Sequence, residues 1–420
     1  MSGSDASAPP IWSRRDSRAT AAVAVQFAVN GAFFASLFPR LPELRDQIEV
    51  STEAIGVLLT VSAASGVVAS LTSARLIARF STRTVMFAGG VVIGLALVGV
   101  GVSSTWAAAA LALAVMFAVD VYVDVAMNMQ ASWLSARRAR SIMSRVHGLW
   151  SLGSVLGGLG AGALAGAAVS LRAHLIGAAV ILVVVSSVLA TQLLPVDEVH
   201  RHDEADPPLD PNDASRPGRS GSAAVRDRTA RSLMARFFLA GLAAVVIEVA
   251  AMNWAAFRIT DDLGGAESTG AIAFAAVMAG GTLSRFLGDH LAHRFGAERF
   301  TSVSAVVAMV GLVAAAVVGT PALVVTAFLV AGLGTAALTP RLYDLAARAG
   351  GGTASGLGWL TAGMRIANMV TPVAVAAMAT GTSVGTAIAI AGVAAGLLFI
   401  GATANPDAFR ARARLGPPHP

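Results

Sequence analysis

Ala74-Arg75-Leu76-Ile77-Ala78-Arg79-Phe80-Ser81-Thr82-Arg83 follows one long apolar stretch, and Asp289-His290-Leu291-Ala292-His293-Arg294-Phe295-Gly296-Ala297-Glu298 follows another. Both segments place Arg-Phe and then a small residue at the same point, and both lead into a further apolar run. A chain that repeats such a segment between apolar stretches is expected to consist of two related halves. Outward from these segments, apolar stretches recur near 19–39, 54–74, 84–102, 106–134, 142–169, 172–194, 233–257, 268–288, 300–319, 321–340, 353–379 and 384–404. A stretch of about 20 apolar residues is long enough to cross a bilayer as a helix. The chain therefore reads as an all-α membrane protein with twelve spans.

The arginines test that reading. The tails and alternate connections hold 25 of them, the other connections hold four (Arg40, Arg45, Arg172 and Arg258), and Arg365 lies inside a span. Arginine-rich connections mark the cytoplasmic side, so both termini are expected inside, in a multi-pass protein of a bacterial inner membrane. Only 13% of the 420 residues are charged, against about 25% in an ordinary soluble protein. The chain has no cysteine and no lysine. Thiolate metal sites and a Walker-type phosphate loop, which needs its lysine, are excluded. Dispersed arginines form no basic face for nucleic acid. Neither cofactor nor metal, nucleotide or nucleic acid is expected, and a monomer is.

Residues 1–18 read as a disordered cytoplasmic tail without an export cleavage pattern. Residues 195–232, rich in Pro, Asp, Arg and Ser, cannot bury enough apolar surface to fold alone. They read as a cytoplasmic linker between six-helix bundles at 19–194 and 233–404, with a further tail at 405–420.

The two-bundle plan with its repeated segment resembles the major facilitator superfamily, whose loop pattern is roughly G-x-x-x-D-R-x-G-R-R. Arg75, Arg79, Arg83, Asp289 and Arg294 are the gating-loop residues that this resemblance implies. Ala78 and His293 stand where the family has Asp, and Ser81 stands where it has Gly. A narrower resemblance, to the MosC/YbjJ-like branch, lies in Asp124-Val125-Ala126-Met127-Asn128-Met129-Gln130, Ser144 to Gly153, Glu248 to Trp254, and Arg285 to Asp289. Rhizopine (amino-cyclitol) transport is proposed for one member of that branch. The family fold implies that spans one, four, seven and ten line a central cavity and that three, six, nine and twelve face lipid.

Charge at mid-bilayer costs at least about 2.5 kcal/mol. Of 24 acidic residues only Asp120, Asp124 and Glu248 lie at apolar depth. Asp120, Asp124 and Asn128 are spaced so that they rise along one helix face by about 6 Å per step. Two carboxylates one turn apart in a low-dielectric site cannot both ionise cheaply, so one is expected to hold a proton near neutral pH. Asp120, Asp124 and Glu248 are the expected proton-coupling groups; a structural pair bonded to neighbouring spans is the alternative. Gln26, Asn30, Asn128, His147, Trp150, Glu248, Arg365 and Asn368 are the candidate substrate contacts. Glu248 and Arg365 could instead pair with each other. Gln26 and Asn30 could knit helices together, His147 could pack at an interface, and Asn368 could orient Arg365. Trp254 reads as an interface anchor, and Gly153-Ser154-Val155-Leu156-Gly157-Gly158 as a close helix-packing surface.

The expected function is secondary transport of a small polar solute (a polyol, sugar or amino-cyclitol) by alternating access, coupled to protons. A proton-antiporting exporter of drugs or metabolites is the alternative, and a cavity rich in aromatic residues would favour it. A substrate-sensing receptor on the same fold is a further possibility. An enzyme is not expected: intramembrane aspartyl proteases carry their two aspartates on facing helices, and Leu287-Gly288-Asp289 lacks the G-x-G-D form.

Overall fold

The computed structural model describes residues 12–138, 142–194, 223–335, 338–349 and 355–404. Its elements are α1 (Arg14–Leu37), a 3-10 turn (Phe38–Arg40), α2 (Leu41–Gln47), α3 (Thr52–Ser70), α4 (Ser73–Val102), α5 (Trp106–Arg137), α6 (Met143–Gly166) and α7 (Leu171–Ala190) in the first half. The second half holds α8 (Ala223–Thr260), α9 (Glu267–Phe295), α10 (Ala297–Val317), α11 (Pro321–Thr335), α12 (Leu338–Ala349), α13 (Ser355–Gly381) and α14 (Val384–Thr403). Eleven of the described helices are long and apolar enough to cross a membrane by length and composition, and α11 is a shorter apolar helix.

Three boundaries differ from those expected. The tail predicted at 1–18 is helical from Arg14, because Ser13 and Asp16 cap each other and Asp16 pairs with Arg137 of α5 at 2.6 Å. Residues 1–11 and 405–420 lie outside the described residues. The linker predicted at 195–232 is helical from Ala223, and 195–222 likewise lies outside them. The tenth span, predicted at 321–340, is described as α11 and, from Leu338, α12, and residues 336–337 lie outside the described residues. The segments predicted as gating loops are helical up to a break. In the first copy the break is Ser81, at φ 68° inside α4; in the second it is Gly296, at φ 84° between α9 and α10.

The packing repeats itself. Helix α1 lies along α6 as α8 lies along α13; α3 and α4 flank α5 as α9 and α10 flank α11; α4 packs on α7 as α10 packs on α14. The halves meet chiefly where α6 packs on α9 and where α3 packs on α13. A twofold relation that carries one half onto the other exchanges these two interfaces. Glycine sets the closest approach in the first half: a Cβ on Gly153 would overlap the Ala28 carbonyl of α1, so α6 packs directly against α1 as its glycines suggest. Exposed apolar residues occur at Leu95, Ile181, Val310 and Leu397 of α4, α7, α10 and α14, the spans expected to face lipid, and equally on other spans, as at Leu111, Leu156, Phe286 and Leu323.

Candidate functional site

A cavity of about 210 Å³ lies between the halves. Its polar lining is Asp120, Ser154, Asn253 and Asn368, and five of its sixteen lining residues are aromatic: Phe34, Phe38, Phe117, Trp150 and Phe274. The lining comes from α1, the 3-10 turn, α3, α5, α6, α8, α9 and α13. Spans one, four and seven contribute as the family fold implies. Spans two, five, eight and eleven also contribute, and span ten does not.

Asp120 is the carboxylate of the cavity. Asn30 Nδ2 donates to its Oδ1 at 2.6 Å, and Trp150 Nε1 donates to Asn30 Oδ1 at 2.8 Å. This chain joins α6, α1 and α5 and fixes both the indole and the carboxylate. Asn30 itself is buried and stands behind Asp120 and Trp150, so it positions them and does not itself line the cavity, as a substrate contact would. Gln26 is buried and donates to Ser186 Oγ of α7 at 3.3 Å. It ties spans one and six together and is not in the cavity.

One turn along α5, Asp124 is exposed. Asn128 Nδ2 donates to Asp124 Oδ1 at 3.0 Å and to its carbonyl at 2.9 Å. His147 and Tyr343 lie within electrostatic reach of Asp124, and Arg365 within reach of Tyr343. His147 is exposed, with Nδ1 3.0 Å from the Met143 carbonyl and its ring 5.1 Å from Phe27. The polar stripe read from the sequence thus runs from the cavity toward the arginine-rich end, with Asp124 exposed and Asp120 and Asn128 half-buried.

Glu248 and Arg365 do not pair with each other. Glu248 lies 3.8 Å from Arg285, both about one-third exposed. Arg285, counted as cytoplasmic from the sequence, lies within α9 and donates to Ser151 Oγ of α6 at 2.7 Å. Arg365 of α13 donates to Ser70 Oγ of α3. Ser70 stands four residues before the first copy of the repeated segment and Arg285 four before the second. Each cross-half interface therefore carries one arginine–serine bond, in both cases from an arginine of the second half to a serine of the first. Asn368 lines the cavity, and its Nδ2 donates to the Met364 carbonyl at 3.1 Å, so it does not orient Arg365.

The other end of the cavity is closed. Arg45 pairs with Asp261 of the second half, donates to Thr52 at 3.1 Å, and sits 5.5 Å from the Phe257 ring centroid. Two further arginines at this end, both buried, end helices. Arg40 binds Glu43 and the Val169 carbonyl, while Arg258 binds Asp262 and three carbonyls after Leu312. That is a use of arginine at helix C-termini and accounts for two of the four arginines that break the charge bias, while the bridge to Asp261 accounts for Arg45. Trp254 is fully buried against Phe257, not an interface anchor. Among the gating-loop residues, Arg75, Arg79 and Arg294 are exposed, with Arg79 over Phe80 and Arg294 over Phe295. Arg83 is half-buried, and the side chain of Asp289 lies outside the described residues. The cavity is thus sealed at the Arg45 end and open toward the end that bears Arg137 and the repeated segments.

A reading confined to charges missed Asn253, Tyr343, Ser70 and the inward position of Arg285. A count of amides at span depth finds Asn253. The rest require the fold.

Two pseudo-symmetric helical bundles around a cavity open at one end define a class, the multi-pass membrane transporters. A model of the Major Facilitator Superfamily matches residues 23–254, more than half of the chain, and the protein belongs to that superfamily. An uncharacterized transporter of Sinorhizobium fredii, y4wD, is 25% identical over 328 residues, covering 77% of this chain and 81% of its own. The membrane protein MosC of Rhizobium meliloti is 24% identical over 332 residues, covering 78% and 75%. Among solved structures, a variant of the nucleoside transporter NupG superposes with a TM-score of 0.71 at 12% identity, over 93% of this chain and 100% of that one. A bacterial homologue of the lysosomal transporter Spinster, inward-facing and unoccupied, gives 0.68 at 14% identity, over 96% and 98%. These likenesses establish the fold.

Proposed function

We propose that the protein is a proton-coupled secondary carrier that moves a small organic solute across a bacterial inner membrane by alternating access. The observation that carries this reading is Asp120, held by Asn30 in a cavity between the two halves. A second carboxylate, Asp124, stands one turn nearer the open end. In such a carrier the pair takes up and releases protons while the halves rock about the α6–α9 and α3–α13 interfaces. His147 and Tyr343 sit where a proton could pass between Asp124 and water. By the arginine bias the open end is cytoplasmic, and the closed conformation at Arg45–Asp261 is then inward-open.

The aromatic share of the lining, five residues of sixteen in a chain only 6% aromatic, favours a solute with an apolar body over a bare polyol. It also favours proton antiport of a drug or metabolite as the second reading. Thermal unfolding of the purified protein at pH 5.5 and 7.5 tests both, with cyclitols, amino sugars, sugars and lipophilic cations as ligands. A ligand that binds only the folded state raises its stability. We expect a pH-dependent upward shift with at least one class. A panel that shifts nothing at either pH contradicts a carrier for solutes of this kind.

A further inference from the structure

We infer that the cavity selects organic cations that carry N–H donors on a compact apolar body, with Asp120 as counter-ion and Asn253 as a second acceptor. The inference deepens the carrier reading and rests on it.

Three observations point the same way. The first is the balance of donors and acceptors. Among the described residues, no arginine or histidine lines the cavity, and the chain has no lysine. Trp150 gives its N–H to Asn30, Ser154 gives its hydroxyl to the Trp150 carbonyl, and Asn368 gives an amide hydrogen to the Met364 carbonyl. The one charge-bearing side chain in the described lining is that of Asp120, and the Asn253 and Asn368 carboxamides each add a carbonyl acceptor beside their remaining N–H donors. Pro372, also in the lining, adds to this, because it has no N–H for the Asn368 main-chain carbonyl four residues before it.

The second observation is Asn253. It is 6% exposed, it lines the cavity, and its Oδ1 receives no hydrogen bond from the described residues. A buried unpaired acceptor is costly, so a protein that keeps one beside a cavity gains affinity for a donor that can reach it. Asn253 belongs to α8 in the second half and Asp120 to α5 in the first. A ligand that bonds to both bridges the parts that must move together as the carrier closes.

The third is the wall. Phe34 and Phe117 meet edge to face at 5.6 Å between centroids, and Phe38 lies 5.8 Å from Phe34 and 6.3 Å from Phe117. All three rings line the cavity with Asp120. Ring faces attract cations, more strongly where water is excluded. A polyol would set its hydroxyls against these rings, whereas an ammonium or guanidinium meets a carboxylate and π faces together.

The test is binding to the purified full-length protein, by calorimetry, of two cations and their neutral isosteres: 2-phenylethylamine with 2-phenylethanol, and benzylguanidine with benzylurea. Myo-inositol and glucosamine complete the set. We expect each cation to bind at least about tenfold more tightly than its isostere. Asn253→Ala should weaken cation binding about tenfold and Asp120→Asn should erase the preference for charge. The wild-type comparison stands even if a variant fails to fold. Equal binding of cation and isostere, binding of myo-inositol alone, or no binding by either cation overturns the inference. Counterflow of bound ligand in proteoliposomes separates it from the reading beneath: cations that bind with the expected selectivity but show no counterflow overturn the carrier and leave the site.

Discussion

Ser81 occupies φ 68° and ψ 153°, a region that costs a residue with a Cβ roughly 1–3 kcal/mol and that glycine enters freely. The equivalent residue of the second half is Gly296, at φ 84°. Ser81 recovers part of the cost as a helix cap, since Thr84 N donates to its Oγ at 3.3 Å, but glycine at such a position gives up only a few tenths of a kcal/mol. Ser81→Gly should therefore stabilise the protein by about 1 kcal/mol, seen as a higher melting temperature in detergent; a lower one would show that the cap outweighs the strain. At this scale the sequence was partly legible. Asp120, Asp124 and Glu248 stood out because charge at depth is rare and costly. Asn253 did not, because a neutral amide in a span is ordinary until its environment shows that nothing pairs with it. The roles of Gln26 and Asn30 were ambiguous for the same reason: an amide can face a neighbouring helix or a cavity, and only the rotation of α1 decides.

Spans were legible because hydropathy and backbone hydrogen bonding leave a membrane chain few choices. The boundaries that differ turn on local chemistry that an average over 20 residues blurs. Helix α1 starts early because of a capping pair and the Asp16–Arg137 bridge. Helix α8 starts at Ala223, since polar, charged residues can continue a helix beyond the bilayer. The repeated segments, which the family resemblance implies to be loops, are helical because arginine is a good helix former and its charge only sets the side of the membrane. The α6 glycine run was read correctly as a packing surface: Gly153 and its neighbours have no side chain to hold α1 away.

Across the whole molecule, the two arginine–serine bonds and the Arg45–Asp261 bridge form a simple mechanical scheme. The pseudo-symmetric bonds, Arg285–Ser151 and Arg365–Ser70, lie on the interfaces about which the halves would rock. Arg45, Thr52 and Asp261 close one end. Asp261→Asn removes the charge from that closure and should shift the population toward the state open at the Arg45 end, by about tenfold for a loss of about 1.4 kcal/mol. The absence of cysteine from the chain makes the measurement direct: spin labels at Glu53→Cys and Ala266→Cys should report a longer distance component in the variant. An unchanged distance distribution would show that packing, not this ion pair, holds that end shut.

The central claim is that an organic cation and a proton use the same acidic pair. It is tested most directly by internal pH in proteoliposomes holding the wild type or Asp124→Asn, after benzylguanidine is added outside. The guanidinium stays protonated at working pH, so any pH change must come through the protein. The account predicts that the wild type takes up the cation and moves protons in step with it, and that Asp124→Asn takes up cation only by exchange, with no proton movement. A wild type that carries the cation without moving protons, or an Asp124→Asn variant that still couples the two, would contradict it.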